Sequence, residues 1–294
     1  MHAPLLESLR ETEWQDRERQ HRTRVARFAQ PYLDRRSRGA VHPVEDFLFT
    51  YYNQKPGQLL RWHPGAGVVL QGPAAAGRSD WKYYTAHDDG VRVDARRFVG
   101  ERHESVDFAR IILARTAARP AQFGCFGLHE WAMAYRSAVN GVRHEYLELR
   151  LGAAGTDDVV EASRIRCTHF DAFRFYTPQA VPLNEHVPTR ETQRDLEQPG
   201  CLHANMDLYK RAYKLTPLLP SEIVMDCFEL SWRIRTMDMR ASPYDLSGWG
   251  YTPIAIETSE GKAEYVRLQR GFAEESQVLR GRLLEHLERA VGTP

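Results

Sequence analysis

Twelve histidines are spread along the 294-residue chain, and several stand beside an acid. His42 lies three residues before Glu45, His129 precedes Glu130, His144 precedes Glu145, His169 lies two before Asp171, and His203 lies four before Asp207. An imidazole next to a carboxylate is the pairing that both general acid–base catalysis and metal binding require. The HExxH zinc pattern is absent: His129 and His144 are each followed by Glu, but no second His lies three residues further on. The His169-x-Asp171 pair could open a two-His-one-carboxylate iron site, with His129 or His203 as the distal ligand. The same residues also suit a buried structural network, in which each His is satisfied by its acid.

The segment Ile165 to Pro178 (IRCTHFDAFRFYTP) concentrates this chemistry. Read as a strand with period two, it places Ile165, Cys167, His169, Asp171, Phe173 and Phe175 on one face. A buried His beside a buried Asp is costly unless each is paired or bound. A second carboxylate group lies in the loop SPYDLSGWGY, where Asp245 is flanked by Tyr244, Trp249 and Tyr251. An acid among flat aromatic faces suits a planar ligand, and glycosidic hydrolysis sets a carboxylate against a cation-like transition state. A tight turn packed on its own aromatics would have the same composition. The catalytic candidates are therefore Asp171, Asp245, His169 and Glu130. Tyr51, Trp62, His63 and Trp249 are candidates to hold a flat substrate. Asn205 and Tyr209, neighbours on one helical ridge, could read a base or sugar. The metal-ligand candidates are His129, His169, Asp171 and His203. The chain has no GxSxG elbow, phosphate-binding loop or dinucleotide fingerprint.

The elements that must carry these residues are mostly helical. Residues 4–36 read as one or two polar helices rich in arginine, either a solvated face or an arm that contacts phosphates. Residues 66–100 read as short strands and turns. Helices are expected over 105–118, over 156–163 with Thr156 as cap, over 201–215, from Ser221 and over 259–290. Residues 145–151 read as a strand, and a further short strand is expected after Gly250. Within the helix from Ser221, Asp226 and Glu229 interrupt an apolar run, so one of them should be buried or face a cleft. The class that follows is α+β: a mostly helical single domain (41–294) with a small antiparallel sheet, preceded by a helical arm (1–40).

Bulk properties narrow the classes. The net charge is +1, from 40 basic and 39 acidic residues, which does not favour a strongly nucleic-acid-binding surface. No apolar run approaches the roughly 18 residues that a membrane span needs. The N-terminus lacks the apolar stretch of a signal peptide, so a cytoplasmic location is expected. The four cysteines form no CxxC pair and are expected to be free thiols.

The segments HPVEDFLFTYY, LRWHPG, FGCFGLHEWAMAY, CTHFDAFRFYTP, PTRETQRDLEQPGCLHANMDLYK and DMRASPYDLSGWGY resemble an actinobacterial-type family whose members commonly carry the label 3-methyladenine DNA glycosylase. The resemblance runs from about residue 40 to 275. It implies an N-glycosidic hydrolase that releases a damaged purine from DNA or a nucleoside without a cofactor. The Gly-rich LPGVG-type hairpin of helix-hairpin-helix glycosylases is absent. Two other readings remain open on the residues themselves. One is a metalloenzyme with Zn or non-haem Fe that acts on a small molecule. The other is a non-catalytic protein that binds a small molecule or a partner.

Overall fold

A computed structural model describes residues 6–291. The fold is α+β and mostly helical, with one small sheet. Strands β1 (Glu7–Leu9), β2 (Val68–Leu70), β3 (Tyr84–His87) and β4 (Gly90–Val93) pair in the order β1-β2-β4-β3. The longer helices are α1 (Glu11–Ser37), α2 (Ala95–Glu101), α3 (His103–Ala117), α4 (Leu128–Met133), α5 (Gly152–Glu161), α6 (Leu202–Lys214), α7 (Ser221–Arg240) and α8 (Ser259–Val291). The chain divides into two compact units. The described part of the first comprises 6–114, 208–229 and 278–291. The second comprises Arg115–Asp207 and Leu230–Gln277. Helices α3, α6, α7 and α8 each contribute residues to both.

The first unit contains the sheet and α1. The sheet is mixed rather than antiparallel, because β1 runs parallel to β2, in register from Glu7 with Val68 to Leu9 with Leu70. The Leu spacing near the N-terminus also fits a helix. The open edge of β2 instead takes up this segment through its backbone groups, and Leu9 and Trp14 join Trp62, Leu70 and Val93 in one apolar cluster. The Trp14 indole donates to the carbonyl of Gln71 at 3.0 Å and fixes the start of α1. The α1 arginines are largely tied to acids. Arg17 pairs with Glu7, Arg19 with Asp16 and Arg22 with Glu18, and Arg24 holds Asp226 and Glu229. Asp226, which also receives Arg282, and Glu229 are therefore half-buried partners of cations, not isolated acids in a cleft.

In the second unit, three strand expectations give way to turns. Residues 145–151 make only a single bridge, Leu149 to Tyr244. Residues after Gly250 form no strand. The Ile165 segment is extended only as far as His169, and a helical turn then spans Phe170–Phe173. The Asn184 side chain replaces a neighbouring strand: it accepts from the Cys167 amide at 2.7 Å and donates to the Cys167 carbonyl at 2.9 Å. With these backbone groups satisfied by a side chain, no sheet is needed. Thr156 does not cap a helix. It lies buried within α5 and donates to the Gly152 carbonyl at 2.7 Å.

Candidate metal centre

Six buried or half-buried side chains of the second unit form two neighbouring donor groups. His129, His203 and Asp238 make one, and His169, Glu197 and Asp207 make the other. Within each group the ligand-type atoms all lie within 4.8 Å of one another. His203 links the two groups, its ring centroid lying 4.4 Å from that of His129 and 5.3 Å from that of His169.

Local sequence explains each position. Helix α4 is buried on every side, so His129 and Glu130 are shielded from bulk water. Phe126 and Gly127, both at positive φ, turn the chain sharply into this helix. Helix α6 starts just after Gly200, where a side chain would meet the backbone of Gln122. His203 and Asp207 then project from the same face of α6, one turn apart. Asp238 lies three residues after Arg235 on α7. His169 is the last extended residue before the Phe170–Phe173 turn, and Glu197 directly follows the turn Gln193–Leu196.

The distances separate hydrogen bonding from ligation. His169 is 1% exposed, and neither of its ring nitrogens has a hydrogen-bond partner among the described residues. Its Nε2 lies 3.4 Å from Glu197 Oε1 and 3.6 Å from Asp207 Oδ2. These separations are long for hydrogen bonds between such groups. Two ligand atoms about 2.0–2.2 Å from a shared ion, at angles of about 90–110°, lie about 2.8–3.6 Å apart. Both His169 separations fall within that range, and Glu197 Oε1 also accepts from the Gln193 side-chain amide at 2.5 Å. In the first group, His129 Nε2 donates to Asp238 Oδ2 at 3.1 Å, while the buried Asp238 Oδ1 has no hydrogen-bond partner among the described residues.

The electrostatics are those of a dry site. Burial favours neutral His129, but the Asp238 carboxylate outweighs it and holds the imidazole well above its ordinary pKa. His203 goes the opposite way. Burial, together with the neighbouring His129 and His169, pushes it well below the ordinary range. Burial raises Cys167 to about 11 and also raises Cys201, so both thiols stay protonated near neutrality. A cavity of about 10 Å3, lined in part by Cys125, His129, Cys167, Cys201 and His203, adjoins the first group. It is about large enough for one water molecule. Below the centre, Arg235 Nη1 donates to Glu130 Oε1 at 2.8 Å and lies 3.9 Å from Asp238.

Of the expected ligands, His129, His169 and His203 come together. Asp171 does not belong to either group; it sits on the Phe170–Phe173 turn, 3.3 Å from Arg174. The strand reading had placed Asp171 on the face of His169, and the turn rotates it away. Glu130 is the partner of Arg235. Asp245 lies in an exposed turn and accepts from the Ser247 amide at 2.8 Å, and nearby Trp249 is 39% exposed. The Asn205 side chain donates to the Pro199 carbonyl and holds the start of α6. Tyr51, Trp62, His63 and Tyr209 belong to the first unit. There Tyr51 stacks on Phe47, and fully buried Trp62 donates to Glu222 at 2.8 Å. Tyr209 is enclosed by Tyr52, Tyr213 and Phe228, and His63 lines a cleft.

Sequence reasoning missed Asp238 and Glu197, and it set Asp207 beside His203 rather than His169. Asp238 had only a faint signal, lying three residues after Arg235 on a helix that carries several other charges. Glu197 had none, since it stands in a loop of mixed composition. No family model, curated protein or solved structure matches this chain.

Proposed function

We propose that this protein is a metalloenzyme whose second unit holds zinc or non-haem iron in two adjoining sites. One site is formed by His169, Glu197 and Asp207, the other by His129, His203 and Asp238. The observation that carries this reading is His169: a dry imidazole with no hydrogen bond, facing two carboxylate oxygens at 3.4 and 3.6 Å. Leaving the imidazole buried and unsatisfied is costly, and a cation shared with the two carboxylates would remove that cost. Imidazole and carboxylate donors suit Zn or Fe better than a soft ion. A bound ion would act as a Lewis acid and lower the pKa of a coordinated water to about 7. The adjoining cavity of about 10 Å3 supports a water-sized reactant at the first site.

An N-glycosidic hydrolysis that uses only carboxylates draws less support, because Asp171 and Asp245 are each engaged locally on the chain. The deciding experiment is elemental analysis of untagged protein, purified without chelator. We expect close to two Zn or Fe per chain, falling by at least one in His169→Ala and in Asp238→Ala, with the fold retained by circular dichroism. A folded, metal-free protein that takes up neither ion on dialysis overturns the proposal.

A further inference from the structure

The first unit carries a cleft of about 680 Å3, within the usual size range of small-molecule sites. Its wall is cationic: Arg61, Lys82, Arg102 and Lys214 line it beside one acid, Asp80, and Lys82 lies 3.6 Å from Glu101. Five arginines of α1 pair with carboxylates, whereas Arg61 and Arg102 have no carboxylate partner among the described residues. Unneutralised cations around a concavity raise the local concentration of anions.

The rest of the wall is aromatic and amide-rich. Trp81 supplies a ring with Arg78 4.0 Å from its centroid, the mostly buried Tyr83 and Tyr213 complete the aromatic lining, and Asn53, Gln54 and Gln58 supply donors and acceptors. Tyr83 holds φ at +68°, a conformation that costs a bulky residue energy and is found disproportionately at binding sites. Two buried polar groups on the wall also have capacity to spare. The Thr216 hydroxyl has no hydrogen-bond partner among the described residues. His63 uses Nδ1 on the Tyr84 hydroxyl at 2.8 Å, which leaves Nε2 for a ligand.

An inorganic anion would leave most of this volume and all of the aromatic wall unused. An acidic peptide would not need the rings. From these features we infer that the cleft binds a nucleoside phosphate, with the phosphate held by the cations and the base against the rings and amides. This site is independent of the metal reading, since it uses other residues and other chemistry.

The test is isothermal titration calorimetry on the full chain at low salt, using adenosine 5′-monophosphate, adenosine and inorganic phosphate as separate probes. We expect the monophosphate to bind at least tenfold more tightly than either fragment. The variant Arg61→Ala/Arg102→Ala should weaken it at least tenfold, with circular dichroism and metal content unchanged. Tyr83→Gly, which relieves the backbone strain and removes a ring, should weaken both the monophosphate and adenosine. No binding of the monophosphate up to millimolar concentration overturns the inference, as does equal affinity for adenosine and the monophosphate. Binding of a DNA oligonucleotide without binding of the monophosphate overturns it in favour of a polymer surface.

Discussion

Removing Arg235 is the sharpest test of how the metal centre is supported. Arg235 is 3% exposed and Glu130 is 5% exposed, joined at 2.8 Å with no bulk water to screen either charge. Burial alone would raise the Glu130 pKa. Arg235 and, more weakly, His129 reverse this and hold it at about 2. The variant Arg235→Met keeps most of the side-chain volume but leaves Glu130 as an uncompensated buried acid. Breaking a buried pair from one side costs about 3–5 kcal/mol. At about 2–4 °C per kcal/mol for chains approaching this size, the melting temperature should fall by about 6–20 °C. The double variant Glu130→Gln/Arg235→Met removes both charges and should recover more than half of that loss, because an apolar or neutral replacement often matches an ion pair. Urea denaturation followed by circular dichroism, with and without chelator, reads both quantities. The linkage has a definite sign. A carboxylate with a depressed folded pKa stabilises the fold above its unfolded pKa, and this contribution is lost as pH falls from about 4.5 towards 2. Arg235→Met should therefore lose much of the wild-type decline in that window. A single variant within about 1 kcal/mol of wild type, or a double variant no better than the single, would refute the reasoning.

Three further outcomes follow from the same physics. Burial, with Arg78 nearby, lowers His63 to about 3, so the fold is stabilised fully above pH 6.5 and loses up to about 4–5 kcal/mol as pH falls from 6.5 towards 3; in pH-dependent urea titrations, His63→Gln should flatten that slope. Trp131 is fully buried and its indole donates to the Ala241 carbonyl at 2.8 Å, so Trp131→Ala should cost about 3–5 kcal/mol by chemical denaturation. Gly200→Ala would drive a methyl group into the Gln122 backbone just before α6, and should cost about 1–3 kcal/mol while lowering metal content by displacing His203.

Much of this protein is legible from local patterns. The periodic helices at 202–214, 221–240 and 259–291 announce themselves through spacing, caps and prolines, because those signals act over a few residues. The short strands between 66 and 100 follow from turn residues in the same way. The histidine–acid pairs also identified His129, His169 and His203 as chemically unusual. What sequence alone could not decide was partnership. Asp171, two residues from His169, turns aside to Arg174, while Glu197, 28 residues away along the chain, faces the imidazole. Asp226 looks like an isolated buried acid until Arg24 and Arg282 reach it from distant parts of the chain. Ligand sets depend on distances of 2–4 Å between side chains on different elements, and those distances are set by packing and by side-chain hydrogen bonds such as Asn184 to Cys167. The residue types were written in the sequence; only the tertiary structure determined which carboxylate each histidine faces.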